Sequence, residues 1–322
     1  QDVAIWQKTV DEFGNTLSET DPLNRTRQYA YDPLDRLISI IPMRGAPTTI
    51  AWSSNSRTLQ RGAYREFDQY DAFGRTSIQT SGERTVNNRY DTFGRLIFQS
   101  NPNQPTGNNY TYDALGRVLT QTHADGSVIG YQYQGAQTAV TNERGAVTRY
   151  THRAYGSPSE PMLLMVNTAI ASADVRIERD VFGKPLSVTQ NGVRREWGYD
   201  NRHYLAKRVD PEIGVTQLSR DAEGRISSRQ VGQSPATQYS YDAQGRLLAT
   251  RYNDPATPDS CNEYDAAGQL LRSTSGGIER GYGYDSNNNL TREMLRVDSR
   301  ELTLNHVYDE LDSRSAIIYL YQ

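Results

Sequence analysis

One ten-residue phrase recurs along this chain. It reads YDTFGRLIFQ at 90–99, YDALGRVLTQ at 112–121, YDAQGRLLAT at 241–250 and YDAAGQLLRS at 264–273. An internal period constrains a fold more than any local propensity, because each unit must build the same element and bury its surface against its neighbours. Registered on the aspartate, units fall at Asp11, Asp32, Asp71, Asp91, Asp113, Asp180, Asp200, Asp221, Asp242, Asp265, Asp285 and Asp309. The three wide gaps hold degenerate units with Ser53, Gln134 and Arg153 in register. The result is a single array over 1–322 of about fifteen units, each about 21 residues long. An irregular insertion around 157–178 carries the densest apolar stretch, PMLLMV at 161–166, and 161–175 fits either a short helix or an extra buried strand.

Turn chemistry says what each unit builds. An aspartate opening a type I turn bonds the backbone two residues on. A glycine three residues later supplies the positive φ of the following bulge. The pairs Asp71/Gly74, Asp91/Gly94, Asp113/Gly116, Asp221/Gly224, Asp242/Gly245 and Asp265/Gly268 are assigned this structural role. Where glycine is missing the position holds Asp35, His203, Asn288 or Asp312, and Asp, Asn and His are the other residues best able to enter the left-handed region. Before the turn, aromatic residues stand two apart, as in Tyr110/Tyr112, Tyr239/Tyr241 and Tyr282/Tyr284, so both rings lie on one face of a strand. An aliphatic residue follows five beyond the aspartate. Each unit is therefore a β-hairpin, with a shorter turn such as HADGSV (123–128) or QNGV (190–193) at its other end.

Fifteen hairpins give about 30 strands, a ribbon of roughly 140 Å at ~4.8 Å per strand. Open sheets rarely pass ~10 strands without curling. Only 36% of the residues are hydrophobic, mean hydropathy is −0.76, and 22 tyrosines stand against 6 phenylalanines and 3 tryptophans. That composition suits a sheet wet at one edge better than two sheets burying each other. The fold expected is all-β: tandem hairpins forming a long curled or spiral antiparallel sheet, a hollow shell or part of one, with the paired tyrosines on its inner face. A β-propeller is the alternative, since two units match a blade of about 42 residues, but no two-unit alternation is visible.

The phrases YDALGRVL, YDAQGRLL and YDAAGQLL resemble the YD repeats of the Rhs family, also found in the C components of insecticidal toxin complexes and in teneurins. The resemblance covers essentially the whole chain. It implies a spiral β shell that in bacterial members encloses a C-terminal toxin domain, in many cut free by an aspartyl-protease region with Asp-Pro-x-Gly motifs. Here the Asp-Pro pairs at 21–22, 32–33, 210–211 and 254–255 are scattered and none continues as x-Gly. The expectation is a stretch of wall, from a larger protein or a truncated one, lacking protease and toxin. Its partners would be a toxin domain or other polypeptide cargo, the remaining shell segments and delivery proteins. It would be secreted or delivered by a bacterial toxin system, or sit at the cell surface. The alternative is an extracellular repeat protein that binds carbohydrate or a receptor.

Chemistry-bearing constellations are sparse. Net charge is −3, with 35 basic and 38 acidic residues intermixed, so nucleic acid has no electrostatic footprint to find. No run approaches the ~18 apolar residues of a membrane span. Cys261 is alone. The four histidines, His123, His152, His203 and His306, lack ligand spacing. The segment DSNNN (285–289) starts like a calcium loop but has Leu290 where glycine is needed and Arg296 where glutamate is needed. No catalytic, cofactor or metal site is expected. The arginines after the turn (Arg36, Arg75, Arg95, Arg117, Arg225, Arg246) are expected to pair across to a neighbouring aspartate or to stack on a tyrosine.

Overall fold

The structure, a computed structural model, describes residues 6–153 and 162–321. It is an antiparallel β structure of thirty strands with one 3-10 turn, Ala171–Ala173. The expected all-β sheet of tandem hairpins is what the chain forms. The strands sort into two compact units, Gln1–Thr85 with Gln238–Gln322, and Val86–Thr237. Within each, every strand pairs with its sequence neighbours.

The hairpins repeat one register. The residue before the turn aspartate pairs with the residue five beyond it, and the next pair back skips a residue: Tyr112 faces Val118 while Thr111 faces Thr120. The same slip occurs at Tyr31/Leu37, Tyr199/Leu205, Tyr241/Leu247 and Tyr284/Leu290. This is a β-bulge, which bends and twists its strand. Two of the hairpins with degenerate turns, Thr48–Trp52 with Ser56–Arg61 and Val128–Gln134 with Gln137–Thr141, pair without it, while the third, Val147–His152 with Leu163–Asn167, keeps a shift at Thr151/His152. In the Asp-registered hairpins the bulge accompanies a turn whose fourth residue has positive φ, whether that residue is Gly116 or Asp35, His203 or Asn288.

The sheet has almost no apolar core. Among the described residues Ile50 is the one hydrophobic side chain that is fully buried. The other buried positions are polar, among them Asp21, Asp68, Ser187, Thr216, Thr250 and His306. Strands such as Gly107–Tyr112 and Thr237–Tyr241 alternate half-buried tyrosines with exposed polar residues. That is the pattern of a single layer, one face crowded by its own rings and the other open.

Of the insertion around 157–178, residues 154–161 lie outside the described residues. The remainder resolves the choice left open above: Leu163–Asn167 is a strand, and Val175–Arg179 pairs with it beyond the 3-10 turn. The five-residue apolar core of PMLLMV is too short for an amphipathic helix and long enough for a strand.

Candidate functional site

The recurring turn is the chemically densest feature, and Asp113 shows its construction. Its amide donates to the Arg117 carbonyl (2.9 Å), and its carbonyl accepts from Gly116 (3.0 Å). Its Oδ1 accepts from the amides of Leu115 and Arg117, both at 2.9 Å, and its Oδ2 from Arg117 Nε at 2.7 Å. The backbone amide of Arg117, with its side chain, holds the Asp113 carboxyl below its ordinary value of 3.8 against the opposing effect of desolvation. Asp71, Asp91 and Asp242 repeat the arrangement. So does Asp221, through the amide and Nε of Arg225. Asp265 has Gln269 in the arginine's place, bonded through its amide. The glycines Gly74, Gly94, Gly116, Gly224, Gly245 and Gly268 take φ between 76° and 91°. Asp35, His203, Asn288 and Asp312 enter the same region, at 58°, 65°, 70° and 61°.

The arginine then reaches the next hairpin. Its ion pair is with the aspartate of its own turn, not a neighbour's, because Nε lies four residues along the same tight loop. The remaining guanidinium face covers the aromatic ring of the following unit: Arg95 over Tyr112 (4.8 Å), Arg117 over Tyr133 (4.2 Å), Arg246 over Tyr264 (4.9 Å) and Arg36 over Trp52 (5.3 Å). Arg95 and Arg246 also donate to the carbonyls of the next aspartates, Asp113 and Asp265. The tyrosine answers in the other direction. Its hydroxyl donates to the carbonyl of the bulge residue one unit back: Tyr133 to Val118 (2.8 Å), Tyr199 to Pro185 (2.9 Å), Tyr264 to Leu247, Tyr284 to Leu270 and Tyr308 to Leu290 (each 3.0 Å). Tyr112 does the same to Leu96, and Trp52 uses its indole N–H on Leu37. Tyrosine and arginine recur in the phrase because each completes the other's unit.

This divides the predicted inner-face aromatics. Tyr112 and Tyr284 are rungs between hairpins, with hydroxyls committed to carbonyls. Tyr241 ends the strand Thr237–Tyr241 and is half-buried at the matching position. Tyr110, Tyr239 and Tyr282 stand two residues earlier on the same face and are half-buried. Those three are the rings a bound polymer could touch.

Sequence reasoning missed two elements. Arg179 stands where a unit would have tyrosine and sends Nε to Leu163 O at 2.9 Å. A second set joins distant parts of the first unit. Arg25 donates to Asp285 O and Asn288 Oδ1 (3.0 and 2.8 Å). Arg44 meets Asp285 at 2.6 Å, and Arg61 meets Asp312 at 2.6 Å. A signal existed: DPLNR at 21–25 copies DPLDR at 32–36. Asp21, almost wholly buried, accepts from Leu23, from the Arg25 amide and from Arg25 Nε, as a register aspartate would. The DSNNN turn, which lacks the closing residues of a calcium loop, is held by the guanidinium groups of Arg25 and Arg44.

Among the described residues no cluster of His, Cys, Asp or Glu could hold a metal ion, and no helix is long and apolar enough to cross a membrane. Cys261 is exposed on the strand Ser260–Tyr264. The concavities described are open hollows on the strands and turns, such as that lined by Ser54, Tyr70, Asp71 and Gly74.

Comparison with known proteins fits this geometry. The RHS Repeat family matches residues 10–41, 90–128 and 112–147. The crystal structure of TcdB2-TccC3 without its hypervariable C-terminal region superposes with a TM-score of 0.80 at 14% identity, over 99% of this chain and 20% of that one. This chain carries RHS repeats. Its YD-repeat fold is also that of a second TcdB2-TccC3 crystal structure, at a TM-score of 0.79 and 14% identity over 98% of the chain and 20% of its counterpart. Among curated YD-repeat relatives, toxin protein Tse5 of Pseudomonas aeruginosa is 28% identical over 181 residues, 50% of this chain and 13% of the relative. Double-stranded DNA deaminase toxin A of Burkholderia cenocepacia is 26% identical over 291 residues, 84% of this chain and 19% of the relative. The chain thus spans a fifth or less of each of these four proteins.

Proposed function

We propose that this YD-repeat chain is a segment of the wall of an Rhs toxin shell, and that its tyrosine face lies against a polypeptide cargo carried by the same delivery system. The observation that supports this most is the near absence of an apolar core in thirty strands. A sheet stabilised through its turns and rungs has no need to bury its broad faces against itself, so one can face something else. Tyr110, Tyr239 and Tyr282 offer that face large, rigid, amphipathic contacts with no fixed partner geometry. Many weak contacts of this kind hold a chain without reading its sequence. Relatives named as toxins, each much longer than this chain, agree with a segment that serves another part of the protein.

The role is non-catalytic in this reading, and it needs no cofactor. The carboxylates of Asp71, Asp91, Asp113 and Asp242 are saturated as turn acceptors and paired with arginine, which holds them ionised and leaves none of the four poised as an acid or base.

The test is site-specific photocrosslinking in the natural gene product. Benzoylphenylalanine placed at Tyr110, Tyr239 or Tyr282 should crosslink to polypeptide outside the repeats. The same probe at Thr111 or Ser240, on the exposed face, should not. Crosslinks from the exposed face alone, or from neither, would overturn the assignment.

A further inference from the structure

The third residue of each turn stands at its tip, and in half of the twelve Asp-registered turns it is a large apolar side chain left mostly exposed, with Arg75 and Arg95 lying over the Phe73 and Phe93 rings of their own turns at 4.9 and 5.1 Å. Phe13, Leu34 and Phe73 in one unit are 71%, 70% and 82% exposed, and Phe93 and Leu115 in the other are 83% and 77% exposed. Single exposed apolar side chains are ordinary on a protein surface, but recurrence at one repeat position sets these in a row along the same turn edge of the hairpins within each unit. Turn chemistry does not require them, since Gln244 and Arg202 occupy the same place.

The chain itself shows what such a tip takes as a partner. At the turn of Asp309 the tip residue is Leu311, and it is half-buried. It sits on two tight turns from the other edge of the sheet. A Cβ on Gly62 would lie 3.3 Å from Leu311 Cδ2 and would run into the Glu310 carboxylate, so glycine makes the socket. Gly45 gives room to the Glu310 carbonyl, which accepts from the Ala46 amide at 3.0 Å. Arg61 donates to Leu311 O at 3.2 Å and to Asp312 Oδ2 at 2.6 Å. The neighbouring turn is seated alike: the Asn287 amide group exchanges hydrogen bonds with the backbone of Arg44, at 2.9 and 2.7 Å.

Resting on the wall reading above, we infer that Phe13, Leu34, Phe73, Phe93 and Leu115 are knobs that seat on the glycine and arginine turns along the opposite edge of another stretch of YD-repeat ribbon. Leu311 on Gly62 is the internal example. Gly82 heads an equivalent two-residue turn, with φ of 59° and only Tyr64 Cε2, at 3.9 Å, near a would-be Cβ. Because knob and socket lie on different edges, pairing between chains is head-to-tail rather than two-fold symmetric.

A second copy of this chain is the probe, since it presents both edges. Sedimentation velocity over a concentration series should show reversible self-association of the purified chain. The triple variant F73S/F93S/L115S should weaken it about tenfold or more, the loss expected from several buried apolar anchors, with the thermal midpoint unchanged. The socket variant Gly82→Asn, tolerated at positive φ, should weaken it as well. A chain that stays monomeric at every concentration overturns the inference. So does association that survives the tip substitutions, or that ignores Gly82→Asn and is therefore indiscriminate stickiness. Monomeric behaviour with the cargo crosslinks intact would remove the docking edge alone; loss of those crosslinks with association intact would remove the wall reading alone.

Discussion

At the residue scale the aspartate and the tyrosine of the phrase carry different loads. Asp113 is an acceptor for two amides and a guanidinium, and its carboxyl sits below 3.8. A carboxyl depressed on folding contributes stability that is present above its unfolded value and is lost as pH falls through its folded value. The turns should therefore hold through mild acid and loosen only below about pH 3.8. Asn142 builds the same turn, accepting from the Arg144 and Ala146 amides, so Asp113→Asn should fold. What it should lose is its share of the acid dependence, read by urea titrations at several pH values. Tyr133 acts through its hydroxyl, bonded to Val118 O. Tyr133→Phe keeps the ring under Arg117 and should cost about 0.5–1.5 kcal/mol by urea denaturation, the net worth of one hydrogen bond.

At the element scale the hairpin is set by its left-handed residue. Gly116 has φ of 78°, and a Cβ there would meet nothing closer than Arg95 Cδ at 3.9 Å, so strain rather than collision governs a substitution. Gly116→Ala should destabilise by about 1–2 kcal/mol and Gly116→Asn by clearly less, as denaturation midpoints will report. The hairpins were legible because this constraint is local: Asp35, His203, Asn288 and Asp312 betray a backbone requirement within one sequence. Even the degenerate turn at Gln134 was found by register, although its two-residue loop drops the bulge. The rungs were less legible. That Arg117 belongs to its own Asp113 but to the next unit's Tyr133 depends on how far the bulge turns one hairpin toward its neighbour, and spacing does not encode it. The tyrosines one residue before the aspartate were assigned to a cargo face for the same reason.

At the scale of the molecule, the first unit is joined to itself across some 250 residues of sequence. Arg25, Arg44 and Arg61 hold Asp285, Asn287, Asn288 and Asp312, with Asn289 bridging to Asp312. These contacts had no signature in the repeat, because they depend on which turns meet after many hairpins. Burial opposes charge at Asp285 and Asp312, but hydrogen bonds from Asn289 and Arg44 to the one, and from Arg61 and the asparagines to the other, outweigh it and hold both below 3.8. By the same sign argument the clasp persists at pH 5 and opens only below about 3.8. Arg61→Ala strips a charged donor from Leu311 O and Asp312 and should cost about 1.5–3 kcal/mol. Hydrogen exchange should rise at 309–313 in that variant and stay unchanged at 113–117.

The central claim is that consecutive hairpins are fastened to each other by arginine, tyrosine and bulge carbonyl in place of an apolar core. A double-mutant cycle on Arg95→Met and Tyr112→Leu, followed by urea denaturation, tests it most directly. The account predicts a coupling energy of about 0.5–2 kcal/mol, the range of a partly desolvated cation–ring contact. Two losses that add to within about 0.3 kcal/mol, as for residues that do not interact, would contradict it.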